Sequence, residues 1–145
     1  MIDRPARDQL AERLRRLAIG RMTNRAFEAS SERTTDPVIL EIELRLAWPY
    51  YCDIREHRLT GEWRLSDGLR RDFARAVLFL KTDLEYEWTH QQGVRGWLNS
   101  WFHLRPLRRA PRIRPEPGDR RYWPFYRRSD YLGARRSPVY LHKAA

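Results

Sequence analysis

Nine arginines and four aromatic rings crowd into residues 105–128. Arg105, Arg108, Arg109, Arg112, Arg114, Arg120, Arg121, Arg127 and Arg128 surround Tyr122, Trp123, Phe125 and Tyr126. A guanidinium group grips a phosphate through two parallel hydrogen bonds. An aromatic ring can stack on an unpaired base. Together they are the residue types of a single-stranded nucleic-acid binder, although no RNP signature, zinc finger or glycine loop accompanies them. The same rings have a second use as anchors. In Trp123-Pro124-Phe125 the proline stiffens the backbone and lowers the cost of ordering its neighbours against a core. The segment is therefore expected to dock through its rings and to hold its arginines outward.

A second cluster is acidic. Asp83, Glu85 and Glu87 precede His90, and Glu87 and His90 have the Glu-x-x-His spacing of carboxylate-bridged metal sites in helical bundles. Asp53 and His57, four residues apart, are the groups that would have to converge on them. The bundle pattern needs two such pairs and the chain holds one, so the acids are expected to be surface charge neutralised by arginines of the tail, with no metal and no cofactor. Trp97, Trp101 and Phe102 with basic flanks could lie on a membrane, but so short a segment buries too little surface to hold a protein there. Cys52 stands beside Asp53, which raises a thiol pKa and is wrong for a nucleophile. With no nucleophile elbow, P-loop or dinucleotide fingerprint, no catalytic residue is named and an enzyme is not expected.

The elements that must position these groups read as helices. Leu69, Phe73, Ala76, Val77, Leu80, Leu84 and Trp88 recur at spacings of three and four, with Leu78 and Phe79 beside them. Residues 67–88 are thus a helix apolar over much of its circumference, capped by Ser66 or Asp67 and central to the fold. Asp36-Pro37 starts a second wide-faced helix, 37–58, kinked at Pro49 and expected to be its antiparallel partner. Its two faces are Leu40, Leu44, Ala47, Tyr51 and Ile54, and Ile39, Ile42, Leu46 and Tyr50. Residues 5–19 and 24–29 form two further helices, separated by Gly20 and capped at Thr23. That stretch, LAERLRRLAIGRMTNRAFE, resembles the SHOCT module, a short helical hairpin of bacterial proteins. The resemblance covers fewer than 20 residues, lies at the opposite end of the chain from the module's usual place, and implies a helical hairpin without a function.

After Trp88 the apolar residues Trp97 to Leu104 suggest one more short helix. Four prolines between residues 105 and 121 break any regular element, and Ser129-Asp130 can cap a last turn or two to Arg135. No segment alternates as a strand does. The expected fold is all-α: a small helical bundle over residues 1–104, wrapped by an irregular Arg/Pro/aromatic-rich tail, 105–145, within one domain.

Charge is divided along the same line. Net charge is +10, and 27 of the 29 basic residues are arginine, a skew common in GC-rich bacterial genomes. Residues 105–145 hold 12 basic and 3 acidic residues, leaving the body nearly neutral. One cysteine excludes an internal disulfide, and no run approaches the length of a membrane span. A signal peptide's apolar core is missing from the first residues, so a cytoplasmic location is expected. The expected function is that of a small non-enzymatic binding or regulatory protein whose basic tail engages an anionic macromolecule. An acidic protein surface comes first and RNA or single-stranded DNA second. A metal-dependent helical-bundle enzyme is the third reading.

Overall fold

A computed structural model of the chain describes residues 1–31, 34–52, 54–88 and 118–138. Among these the regular structure is helical, with no strand beyond a single bridge between Thr23 and Arg58. The order is α1 (Arg4–Ala18), α2 (Asn24–Ala29), α3 (Pro37–Ile42), α4 (Asp67–Leu80) and α5 (Arg128–Arg136), with shorter turns between. No helix among the described residues is long and apolar enough to cross a membrane.

The first four helices start at a capping side chain, whereas α5 starts after Arg127 without one, so Ser129 and Asp130 lie within its first turn instead of capping it. Asp3, Thr23, Asp36 and Ser66 each accept a backbone N–H of the first turn, filling acceptor positions that helix geometry leaves empty. Gly20 ends α1 at φ +69°, and a Cβ there would lie 2.4 Å from the Thr60 methyl. Only glycine meets both the left-handed backbone and the close approach.

Two helices are shorter than their apolar patterns. The chain from Pro37 is α-helical only to Ile42, widens into a π-helix over Glu43–Ala47, tightens into a 3-10 turn at Trp48–Tyr50 and leaves extended at Tyr51. Pro49 is the cause. It has no N–H to give to the fourth residue back, Arg45, and its ring would clash with that carbonyl in an α-helix. The widened turn relieves the clash, and the helix ends there instead of kinking and running to residue 58. Leu40 and Ile54, expected on a buried face, are 51% and 93% exposed.

The helix from Asp67 stops at Leu80, eight residues before Trp88. Thr82 donates its hydroxyl to the Phe79 carbonyl at 2.7 Å. Arginines of α1 take the next carbonyls: Arg4 bonds Leu80 and Thr82, and Arg7 bonds Thr82 at 3.2 Å and Leu84 at 2.8 Å. Guanidinium groups at a helix C-terminus satisfy its free carbonyls and its negative end together.

These contacts also set the packing. The start of α1 lies against the end of α4, and the two helices form the largest interface in the fold. The partner of α4 is thus α1, not the helix from Pro37. Arg7 sits on the apolar face of α1 with Leu10, Leu14 and Leu17, only 1% exposed. Its Nε lies 2.6 Å from the Asp36 carboxylate, which is equally buried. Asp36 also caps α3 and accepts the Asp3 N–H at 3.1 Å, while Asp3 caps α1 and accepts the Thr34 hydroxyl. Those bonds from Ala6 and Thr34 hold the Asp3 carboxyl below its ordinary pKa. Arg13 is the second buried cation, joining Glu43 at 3.0 Å to the Phe27 carbonyl and lying 4.3 Å from the Phe27 ring.

Two predictions follow from this packing. Arg7→Met strands a buried carboxylate and should lower the unfolding free energy by about 3–5 kcal/mol in urea denaturation, whereas Arg7→Met with Asp36→Asn should lose much less. At the half-exposed Asp8, burial pushes the carboxyl pKa up. The Lys81 ammonium at 2.6 Å and the Arg4 guanidinium outweigh that and hold it below 3.8. A depressed carboxyl stabilises the fold above its unfolded pKa and loses that contribution as pH falls through its folded one. The melting temperature of Asp8→Asn should therefore lie below that of the natural chain above about pH 4 and converge on it as the pH falls further.

Candidate anion-binding arm

Residues 118–138 form an arm laid against the end of α4. Asp119 caps a 3-10 turn, Arg120–Tyr122, by accepting the Arg121 N–H at 3.0 Å. Phe125 N–H returns to the Tyr122 carbonyl at 2.9 Å, and Asp119 N–H reaches the Tyr126 carbonyl at 3.3 Å. The Trp123–Pro124 peptide bond between them is cis. These bonds close the segment into a compact loop, which α5 continues. The tail is therefore not irregular throughout.

The rings of this loop face inward. Phe125 is fully buried, packing edge-on against Phe79 of α4 at 5.1 Å and against Tyr131 of α5 at 5.5 Å. Trp123 is 9% exposed, and its indole N–H donates to the Tyr86 hydroxyl at 3.1 Å. Arg45 lies over its ring at 5.2 Å. Tyr126 meets Trp88 edge-on at 5.2 Å, and the Trp88 indole N–H donates to the Pro124 carbonyl at 3.1 Å. Tyr122 rests on Tyr131 at 5.3 Å. Both indole donors are thus satisfied in low-dielectric surroundings, where an unpaired one is costly. Gly118 makes room for this cluster: a Cβ there would come within 2.7 Å of the Trp88 ring and 2.8 Å of Tyr126.

A residue of the body completes the attachment. Arg75 of α4 donates from Nε to the Trp123 carbonyl at 2.7 Å and from Nη1 to the Arg121 carbonyl, while pairing with Asp72. It falls outside the apolar pattern of its helix, so its link to the arm is not visible in the spacing. The long-range pairing of Trp88 with Pro124 is equally invisible there, because the two are separated by 36 residues.

The arginines divide into two groups. Arg127 is half committed, pairing with Glu87 at 2.9 Å and lying 5.7 Å from the Tyr126 ring. Arg120, Arg121 and Arg128 are exposed and make no ion pair with the described residues, and Arg136 at the end of α5 joins them. Arg135 covers the Tyr131 ring at 5.6 Å and keeps its charge outward. Arg105, Arg108, Arg109, Arg112 and Arg114 lie outside the described residues.

The acidic stretch expected at the end of α4 lies beyond it, and two of its three acids are paired, while Glu85 is exposed and makes no ion pair with the described residues. Asp83 pairs with Arg4 of α1 at 3.3 Å, and Glu87 with Arg127 of the arm. Asp53 and His90 lie outside the described residues. His57 is buried in another loop, where its ring stacks on Trp63 at 4.2 Å and its backbone N–H donates to Asn24 at 2.9 Å. Among the described residues no three His, Cys, Asp or Glu side chains are grouped to hold a metal ion.

Removing the central ring should loosen the arm. Trp123→Ala is expected to cost about 3 kcal/mol of unfolding free energy. Gly118→Ala should also destabilise, by forcing the Trp88 and Tyr126 rings apart. Chemical denaturation together with near-ultraviolet circular dichroism of the aromatic cluster checks both.

No protein-family model matches the chain, and neither a curated protein nor a solved structure is significantly similar to it.

Proposed function

We propose that this is a non-enzymatic binding or regulatory protein whose C-terminal arm presents a fixed arginine surface to an acidic protein surface. The observation that carries the reading is the division of the arm. Its rings are spent on the body, and Arg120, Arg121, Arg128 and Arg136 are left outward without an ion pair among the described residues. Cations held on an ordered backbone lose less entropy on binding than cations on a loose one. A cationic face in a chain of net charge +10 also speeds encounter with an anionic partner.

The burial of Trp123 and Phe125 supports the first of the two partner classes. Stacking on unpaired bases needs exposed ring faces. Trp123 gives its N–H to Tyr86 and one side to Arg45, and Phe125 is enclosed by Phe79 and Tyr131. What remains for a partner is guanidinium chemistry, which serves carboxylates as well as phosphates. Recognition of RNA or single-stranded DNA is the second reading and rests on phosphate contacts alone.

Fluorescence anisotropy with labelled poly-glutamate and poly-uridylate separates these readings. The protein should bind poly-glutamate, and replacing Arg120, Arg121, Arg128 and Arg136 by alanine should weaken that binding about tenfold or more with an unchanged melting temperature. Alanine at Arg108, Arg109, Arg112 and Arg114 should weaken it further. Tighter binding of poly-uridylate, with a steep salt dependence and a partner lost from native pull-downs after nuclease, would replace the protein-surface reading by the nucleic-acid one. Melting of the protein by the arginine substitutions would show that those side chains are structural.

A further inference from the structure

On the opposite chemical footing from the arm lies a cleft between the end of α1, α2 and the π-helical turn. Its free volume is about 90 Å³, below the roughly 300–1,000 Å³ of drug-sized sites, so an occupant must be small. Its wall is aromatic, with Phe27, Trp48, Tyr50 and Tyr51 among the lining residues, together with the carboxylates Glu28 and Glu43 and, among the described residues, no lysine or arginine. Arg13, behind the wall, pairs with Glu43, which leaves Glu28 as the carboxylate of the cleft without an ion pair among the described residues.

The backbone that shapes this wall is the unusual part of the fold. Glu43 and Ala47 open and close the π-helix, and Trp48 and Tyr50 belong to the turn around Pro49. Helical π turns are rare and concentrate at functional sites. Here the turn holds Trp48 at 47% exposure beside the cleft, stacked on Tyr51 at 5.0 Å with an angle of 18° between rings. A tryptophan that keeps nearly half its surface in water forgoes hydrophobic stabilisation. Glu43 is held rigidly by Arg13 at 3.0 Å and the Ser31 hydroxyl at 3.0 and 3.1 Å. Glu28 is exposed and makes no ion pair with the described residues. Burial pushes the Tyr50 phenol up, so the ring stays neutral.

From this combination we infer that the cleft is a binding site for a small organic cation of the substituted-ammonium class. Its alkyl groups would rest against the Trp48 and Tyr50 rings and its charge would face Glu28. Electron-rich ring faces attract a weakly hydrated cation, and a carboxylate at the rim supplies the long-range attraction. An inorganic cation does not suit so apolar a wall, because it would give up hydration without enough oxygen ligands. The site is independent of the arm and of the anionic partner proposed for it.

Choline and 3,3-dimethylbutan-1-ol, its uncharged isostere, are suitable probes, titrated against the full chain with the Trp48 indole N–H and the backbone amides of Phe27, Glu28 and Ala47 followed by NMR, the amides serving as the readout in the Trp48 variant. Choline should shift that signal saturably and bind about tenfold or more tightly than the neutral isostere. Trp48→Ala should abolish choline binding, and Glu28→Gln should weaken it about threefold. Both positions are exposed, so the remaining amide spectrum should stay that of the natural chain. Equal affinity for the two probes would show an apolar cleft without charge recognition and overturn the inference. So would choline binding that survives Trp48→Ala, or the absence of a saturable shift.

Discussion

The buried ion pair between Arg7 and Asp36 is the interaction on which the described fold closes. Two fully desolvated charges are tolerable only when every lone pair and proton finds a partner. Here the Arg7 guanidinium spends its donors on Asp36 and on the carbonyls of Thr82 and Leu84. Asp36 spends its oxygens on Arg7, Val38 and Asp3. One network therefore sets the start of α1, the start of α3 and the end of α4. The last of these matters most for the arm. By ending α4 at Leu80, it releases residues 83–88 to run beyond the helix, where Tyr86 and Trp88 meet Trp123, Pro124 and Tyr126.

Phe79 shows how the two halves of the molecule communicate. Arg7 lies 5.5 Å from one aspect of its ring, while Phe125 and Tyr86 meet it edge-on. Residues 76–80 are all buried, as expected for a helix end contacted on several sides. The N-terminal network and the C-terminal arm are thus neighbours through one aromatic side chain. The anionic partner proposed for the arm would meet a surface whose position depends on that packing.

Charge is distributed with the same economy. Two cations of α1, Arg7 and Arg13, are turned inward as structural groups, whereas Arg15 and Arg16 of the same helix and the arginines of the arm are turned outward. The difference lies in what the neighbouring backbone offers. The end of α4 presents unpaired carbonyls and Asp36, and α2 presents the Phe27 carbonyl. The arm loop satisfies its carbonyls internally or through Arg75 and Trp88, so apart from Arg127, which pairs with Glu87, its exposed arginines find no acceptor among the described residues. Around the π turn an aromatic wall carries carboxylates instead.

Much of this was legible in the residues themselves. The caps at Thr23, Asp36 and Ser66, the stop at Gly20 and the helical class all follow from local rules, because they involve neighbours within four positions. The wide apolar face around Phe73–Leu80 is equally local. An arginine at the seventh position, in register with Leu10, Leu14 and Leu17, was a readable sign of a buried cation, though its partner was not. Tertiary structure alone decided which carbonyls end α4, that α1 is its partner, and that Pro49 is accommodated by a wider turn. Docking of Trp123 and Phe125 with the arginines outward is expected from Trp-Pro-Phe, but only the tertiary structure supplies the rings and hydroxyl they meet, Phe79, Tyr131 and Tyr86. Most of these join groups dozens of residues apart, and periodicity carries no information about which distant acceptor a buried donor will find.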